Sequence, residues 1–571
     1  MANFNIDSEK KRTYDAIVIG SGASGGWAAK ELCEKGLKVL VLERGREVKH
    51  GRDYPTASKA PWQFDYRGTV PLDKRTDYRN ARFLRESRLP FMLKDDEQPF
   101  IQEKPFEWHR GYHQGGKSLL WARQTQRWSD YDFQGPERDG FAVDWPIRYK
   151  DLEPWYTYVE KFIGIAGAND GLVELPDSYT QPGFGMSCVE SYFKESLKKN
   201  YEGRHVIQAR CAHLTDPQEI HKQQGRSKCM HQRQCNRGCL YGGYYSSNSS
   251  TMPWAEKTGN LTLRPHSVVH SIIHNNKKRR KSRAEGVRVI DAHTNEMIEF
   301  YAKIIFVNAS TINSNAILLN SKSERFPEGL GNSNGLLGKY MSWHNYRGKA
   351  SAEVEGFADK KTAGRSASHA YMPRFRNVFS QETNFLRGYA AGISASRRTN
   401  TDTNMIGNQL RENILAPKLD DNWIIGSWMM GEVIPTEANH VRLHNDLKDK
   451  YGIPQIIMSC DWTENDEKMV DDYMEQTIEM FEKAGFKNIE ARDTKRPPGS
   501  DIHEMGGVRM GHDKETSLLN KHNQLHDCKN VFVTDGACMT STSTQNPTLT
   551  FMAITARAAN HAVSELKKRN L

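Results

Sequence analysis

An α/β fold is what this sequence predicts, from three stretches in which a strand-like run leads into a helix-like one. Near the start, residues 14–20 (YDAIVIG) are β-branched and apolar and pass through a glycine-rich turn into a helix-like stretch. In mid-chain, residues 301–321 (YAKIIFVNASTINSNAILLNS) repeat that order, the helix being entered through small residues. Near the end, residues 530–536 (NVFVTDG) are strand-like and a helix runs on from Pro547. Strands that alternate with helices argue for a sheet covered by helices.

Size and composition set the outer bounds. At 571 residues the chain calls for roughly two to four domains. It is 37% hydrophobic and 26% charged, ordinary for a globular protein, with no low-complexity tract and no fixed-period repeat. Its longest apolar runs, such as residues 16–20 and 304–307, are strand-sized and far below the ~18 residues of a membrane span, so an integral membrane protein is not expected. The formal charge of +10 is spread among interleaved acids and bases, a solvated surface more than a nucleic-acid footprint, although a basic face for an acidic partner stays open. Nine cysteines, an odd number in a large chain, do not suggest a disulfide framework. The first residues, MANFNIDSEKKRTYD, hold no apolar segment and no paired arginines. No signal peptide is expected, which leaves the cytoplasm, or a periplasmic destination reached by co-export with a partner.

The first stretch has a physical task at each position. Its glycines fall at Gly20-x-Gly22-x-x-Gly25, a helix-like run over residues 27–35 ends at Gly36, and a second strand over 38–42 finishes at Glu43, 23 residues after the first glycine. Gly20 makes the tight turn, Gly22 lets the backbone approach a pyrophosphate, and Gly25 lets helix and strand pack closely. The helix N-terminus offers free N–H groups to phosphates, and Glu43 can accept from ribose hydroxyls. Glycine-rich turns are common, so the strand, the helix and the placed acid carry this reading as a dinucleotide site. The fingerprint alone does not separate FAD from NAD.

Later blocks decide the cofactor by resemblance. Residues 113–121 (HQGGKSLLW) resemble the flavin-side loop of the glucose–methanol–choline (GMC) oxidoreductases, residues 301–321 their second signature, and residues 530–536 with 544–550 (TQNPTLT) their final flavin-binding strand and helix. The resemblance implies a discontinuous Rossmann-type FAD-binding domain and an α+β substrate domain with a broad antiparallel sheet. The FAD domain is expected over residues 1–129 (flavin loop 111–123), 226–324 (cysteine loop 229–239) and 496–571 (catalytic residues), and the substrate domain over 130–225 and 325–495. The implied FAD contacts are Gly20, Gly22, Ala23, Ser24, Gly25, Glu43, Arg44, Gly115, Gly116, Ser118, Trp121, Val269, Ala309, Asp535, Gly536, Asn546, Pro547 and Thr548. Two positions depart from the family pattern. Leu120 stands where some sugar-oxidising relatives carry a histidine bonded to the flavin, so FAD is expected to be non-covalent, and Ser310 stands where glycine is usual.

Oxidising an alcohol by hydride transfer needs a base for the hydroxyl proton and a donor for the oxygen as charge develops. The resemblance supplies the base as His503, in DIHEMGGVRMG (501–511), and its partner as Asn546, 43 residues further on and just before Pro547. Asn546 is also placed to be an N-cap. A lone histidine among 20 is more often structural, and the glycine-rich block and the spacing lift His503 above the others. His512, His522 and His526 lie in a polar stretch and are expected on the surface.

Cys229, Cys235 and Cys239 form C-x5-C-x3-C in a polar, basic loop. Three thiolates on a loop suit a metal or an iron–sulfur site. Zinc would want a fourth ligand such as His231, a four-iron cluster would want another cysteine with Cys211 the near candidate, and three inert thiols stay open. Arg226, Lys228, Arg233 and Arg237 would offset the charge of a cluster or form an ordinary basic loop. The spacing is similar to that in catalytic subunits of bacterial FAD-dependent glucose and glucoside 3-dehydrogenases, which implies a 3Fe-4S cluster, a small companion subunit and a cytochrome-type electron acceptor. The expected function is therefore dehydrogenation of a sugar or glycoside at the C3 hydroxyl. The rivals are an oxygen-dependent oxidase with structural cysteines and a flavoprotein subunit without catalysis.

Overall fold

The computed structural model describes residues 13–79, 81, 84–232, 234–274, 283–360, 369–400, 405–415 and 418–571. A seven-stranded sheet draws its strands from distant parts of the chain. Its order is Leu261–Arg264, Val39–Leu42, Thr13–Ile19, Met297–Val307, Ala284–Asp291 and Ser267–His274, with Val531–Val533 added beside Met297–Val307. The long Met297–Val307 strand is shared: its first half pairs antiparallel with Ala284–Asp291, and its second half lies parallel between Thr13–Ile19 and Val531–Val533. Val39–Leu42 is buried along its whole length, as a central parallel strand covered on both faces should be.

Register aligns the strand ends. Ile19 stands opposite Leu42 and Val307, and Val307 opposite Val533. Gly20, Glu43, Asn308 and Thr534 therefore leave the sheet at one edge, the carboxyl ends where open α/β sheets bind ligands. Helices Ala23–Glu34 and Thr548–Lys567 cover one face through Leu32 and through Ala28, Ala29, Ala558, Ala559 and Ala562, small residues that let helix and sheet approach closely.

The antiparallel sheet implied by the family resemblance is present. Lys487–Asp493, Gly348–Val354, Lys418–Glu432, Tyr389–Asn400, Ala370–Met372 and Ile207–Gln208 form it in that order, and His344–Asn345 adds to Lys418–Glu432. Gly348–Val354 alternates buried and half-buried residues, the period-two pattern of a strand with one face on a core. That core is closed by helices Glu464–Lys483, through Met469, Tyr473 and Phe481, and Cys188–Asn200, through Val189 and Phe193. Among the described residues, no helix is long and apolar enough to cross a membrane.

Candidate active site

Between the two sheets runs a cavity of about 590 Å³ that begins at the aligned strand ends and reaches His503 and Asn546. Its nucleotide end is built from the glycine turn. Gly20 has φ +95°, and a Cβ there would strike the Asn308 carbonyl, while a Cβ on Gly25 would strike the Gly20 carbonyl. Gly22 has open space around it, so its backbone is free for a ligand to approach. Helix Ala23–Glu34 starts from Gly22 with no side-chain cap, leaving first-turn N–H groups for an anion. Glu43 accepts from Ser21 Oγ at 2.5 Å, from the Ser21 N–H at 3.2 Å and from the Gly45 N–H at 2.9 Å, and burial pushes its carboxyl up. Arg44 stacks on Tyr112, 4.7 Å from the ring centre.

The expected FAD contacts line this cavity except Gly25 and Gly115, which build its wall. Gly115 holds φ +85° and donates its N–H to Ser21 Oγ at 3.0 Å, tying the 115–121 loop to the glycine turn. Ser310, in the usual glycine position, is held at φ +73° and ψ 146° as it enters helix Thr311–Asn320. Asp535 accepts from Ser314 Oγ at 2.6 Å and from the Ala537 N–H at 3.0 Å, and burial raises its pKa to about 6. Leu120 faces the cavity with no nucleophile to offer. Open backbone at Gly22, uncapped amides and a long cavity together fit a dinucleotide.

At the far end His503 Nε2 and Asn546 Nδ2 lie 3.1 Å apart. The N-cap of the last helix is Pro547, with no side-chain cap bond. The amide of Asn546 is turned towards His503 in place of capping, and its buried Oδ1 has no hydrogen-bond partner among the described residues. Burial first, then His344 and Lys117, hold the His503 pKa well below the ordinary histidine range. Two residues here had no signal in the sequence. His344 puts its Nδ1 2.8 Å from His503 Nδ1, and Asp501 Oδ2 lies 3.6 Å from that same His503 nitrogen. A short bridge between Ser342 and Met505, with N–H···O distances of 2.8 and 2.9 Å, brings these segments together across the chain. Lys117 pairs with the neighbouring Glu504 at 2.9 Å. The antiparallel sheet supplies the opposite wall with Tyr346, His369, Tyr371 and Trp428, aromatic faces that also carry polar edges. Of the remaining histidines, His512 is exposed, whereas His522 is half-buried and stacks on His561 at 3.7 Å, and His526 is half-buried against Ser517.

The three loop cysteines face one small cavity of about 30 Å³. His231 lines it, but Cys211 does not: its backbone exchanges hydrogen bonds with Ala166 instead. His213, two residues later, takes the place, with Nε2 3.7 Å from Cys235 Sγ. The Gly243 N–H donates to Cys239 Sγ at 3.3 Å. Of the four loop cations, Lys228 is exposed, Arg237 donates to the Lys59 carbonyl at 2.8 Å, and Arg233 lies outside the described residues. Arg226 is buried, its pKa lowered to about 9 by burial, and among the described residues it has carbonyl and amide partners but no carboxylate. Arg123, also buried, stacks on Tyr244, and its Nε and Nη1 have no hydrogen-bond partner among the described residues. Cys235 faces this small cavity while Asn236, the next residue, lines the large one.

Residues 435–555 match the family model described as GMC oxidoreductase. The chain is 28% identical to a 2-methyl-1,2-propanediol dehydrogenase of Mycolicibacterium austroafricanum over 96% of this chain and 94% of that protein. It is 26% identical to the fructose dehydrogenase large subunit of Gluconobacter japonicus (98% and 100%) and 24% identical to the paromamine 6'-oxidase of Streptomyces fradiae (98% and 93%). A solved formate oxidase of Aspergillus oryzae has the same fold, with a TM-score of 0.60 at 13% identity over 97% of this chain and 99% of that one. Residues 435–555 thus carry a GMC oxidoreductase C-terminal domain, and nearly the whole chain is similar to dehydrogenases and an oxidase of comparable length.

Proposed function

We propose that this chain is an FAD-dependent dehydrogenase that oxidises a ring hydroxyl of a sugar or glycoside, at C3, to the ketone. The observation that carries the reading is the meeting of His503 Nε2 and Asn546 at the end of the dinucleotide-shaped cavity. Bound in that cavity, without a covalent bond at Leu120, FAD supplies the hydride acceptor. His503 Nε2 takes the hydroxyl proton as the carbon gives up its hydride. Asn546 holds the same oxygen, and its amide N–H groups stabilise the charge that develops there. The aromatic wall formed by Tyr346, Tyr371 and Trp428 suits the face of a sugar ring.

Cys229, Cys235 and Cys239 would hold a 3Fe-4S cluster, which would supply one-electron chemistry towards a cytochrome-type acceptor, and a small companion subunit is proposed beside it. Three features support this: the thiols share one cavity, the buried Arg226 and Arg123 have no carboxylate partner among the described residues, and adjacent residues Cys235 and Asn236 face the two cavities. Buried cations without acids fit an anionic group nearby, because an uncompensated buried charge is costly.

The test is a panel of glycosides mixed with the holoenzyme without air, scored by flavin bleaching, with products identified by NMR. Bleaching by hexosides with 3-keto products is the expected result. Bleaching only by primary alcohols would overturn the substrate class. Peroxide release under air, without any need for the loop cysteines, would favour an oxidase.

A further inference from the structure

We propose that His344 acts on the proposed base from behind, fixing which ring nitrogen of His503 carries its proton, so that Nε2 is bare towards the cavity before substrate arrives. The inference rests on the reading of His503 as the base. It begins at a backbone carbonyl. His344 Nε2 lies 2.6 Å from the Ser543 oxygen, which only accepts, so this nitrogen must carry a hydrogen. His344 Nδ1 lies 2.8 Å from His503 Nδ1, and a contact that short between two ring nitrogens requires one proton shared between them. Neutral His344 has already placed its hydrogen on Nε2, so the shared one belongs to His503 Nδ1. The second nitrogen of neutral His503 is then unprotonated, its lone pair facing the cavity within 3.1 Å of Asn546 Nδ2, which can donate to it. The hydrogen bond at one ring nitrogen selects the state of the other.

The opposite arrangement would need a doubly protonated His344. That ring is fully buried, and burial lowers its pKa to about 4. The charged groups around the pair are few. Asp501 Oδ2 lies 3.8 Å from His344 Nδ1 and 3.6 Å from His503 Nδ1, and Lys117 is occupied with Glu504. Asp501 Oδ2 also accepts the His344 backbone N–H at 2.8 Å, so the acid fixes the position of the residue as well as facing the pair. Once His503 Nε2 takes the substrate proton, the two rings hold one positive charge between them. The His503 Nδ1 hydrogen can then move to His344 Nδ1 with no other atom displaced. His344 is a positioning residue: it touches the base and does not face the substrate.

Selective ¹⁵N-histidine labelling of the holoenzyme, read by long-range ¹H–¹⁵N correlation, tests the assignment directly. Expected are a pyridine-type Nε2 and pyrrole-type Nδ1 on His503, and the reverse on His344, with signals assigned through H344N and H503A. A pyrrole-type Nε2 on resting His503 overturns the inference. The kinetic arm uses single-turnover flavin reduction. H344L should slow it on the order of 10²-fold, the lower range for losing a competent general base, while substrate Kd changes less than about threefold. H344N, whose side-chain oxygen can accept from His503 Nδ1, should recover to within about tenfold of wild type. An H344L protein that reduces flavin at the wild-type rate overturns the inference. If H344L does not fold, H344N and the wild-type spectrum still decide. Wild-type turnover in H503A would instead sink the base assignment, and the NMR result would stand apart from it.

Discussion

The His503 pocket and the cysteine loop both gather ionisable groups beside the same large cavity, yet they are built on opposite plans. In the pocket every ring nitrogen has an assigned partner: Asn546, His344 and the Ser543 carbonyl account for all four. The charges there are either matched, as in Lys117–Glu504, or suppressed by burial, as at Asp501, whose pKa burial raises to about 7. The loop region has the buried Arg226 and Arg123 with no carboxylate partner among the described residues, thiols facing a space of about 30 Å³, and His213 aimed at a sulfur. A site finished by its own side chains is prepared to move protons. A site left with unbalanced positive charge is prepared to hold something anionic.

Removing the base should break this contrast most severely. H503A is expected to lower kcat by about 10²–10⁴, the cost of losing a general base, with FAD content unchanged. Turnover at the wild-type level would place the base elsewhere. The loop should behave differently. C235S is expected to remove iron from a protein that otherwise carries about three per chain, leaving flavin reduction by sugar intact. Delivery to a cytochrome should fail while small dyes still accept electrons. Stoichiometric zinc, or iron-free protein fully active towards its natural acceptor, would make the loop structural.

The parts of this molecule that were legible in the sequence are those where chemistry is local. The glycine turn, Glu43 and the Asn546–Pro547 step each carry their signal within a few residues, and the structure places them around one cavity. His344 was illegible because it lies 159 residues from His503 and is brought there by the Ser342–Met505 bridge, which leaves no composition signal. His213 was missed for a related reason: in sequence it follows Cys211, and Cys211 drew attention as the cysteine nearer the pattern. The antiparallel sheet had to come from resemblance. Lys418–Glu432 (KLDDNWIIGSWMMGE) mixes acids, glycines and tryptophan, and Gly348–Val354 (GKASAEV) alternates but buries a glycine and alanines where branched residues would mark a strand, so neither stands out in the sequence.

Asp501 offers a smaller effect whose sign is fixed by pH. Its folded pKa is raised from 3.8 to about 7, so the folded state binds its proton more tightly than the unfolded chain does. Stability from this group is fully present below the unfolded value and is lost as pH rises through about 7. D501N keeps an oxygen to accept the His344 N–H and removes the charge. It should stabilise the protein at pH 8 by on the order of 1–3 kcal/mol and leave stability at about pH 3.5, below the unfolded pKa, nearly unchanged, as read by denaturant unfolding at the two pH values. Equal gains at both would show that the carboxyl is not charged by pH 8 in the folded protein.

The smallest expected effect lies at Ser310, where the nucleotide end departs from the family's usual glycine. At φ +73° and ψ 146° the backbone sits where only glycine is comfortable, and Ser310 makes no capping bond in return. Holding a non-glycine residue in such a region costs on the order of 1–3 kcal/mol. Glycine would remove that strain but would enlarge the freedom of the unfolded chain, which takes back about 0.4–1 kcal/mol. Strain is the larger of the two, so S310G should stabilise the protein by about 1 kcal/mol. The check is the melting temperature of FAD-loaded wild type and variant, with flavin release followed alongside. A lower melting temperature in S310G would mean that the serine hydroxyl, which borders the cavity, contributes more to holding the bound cofactor than its backbone costs.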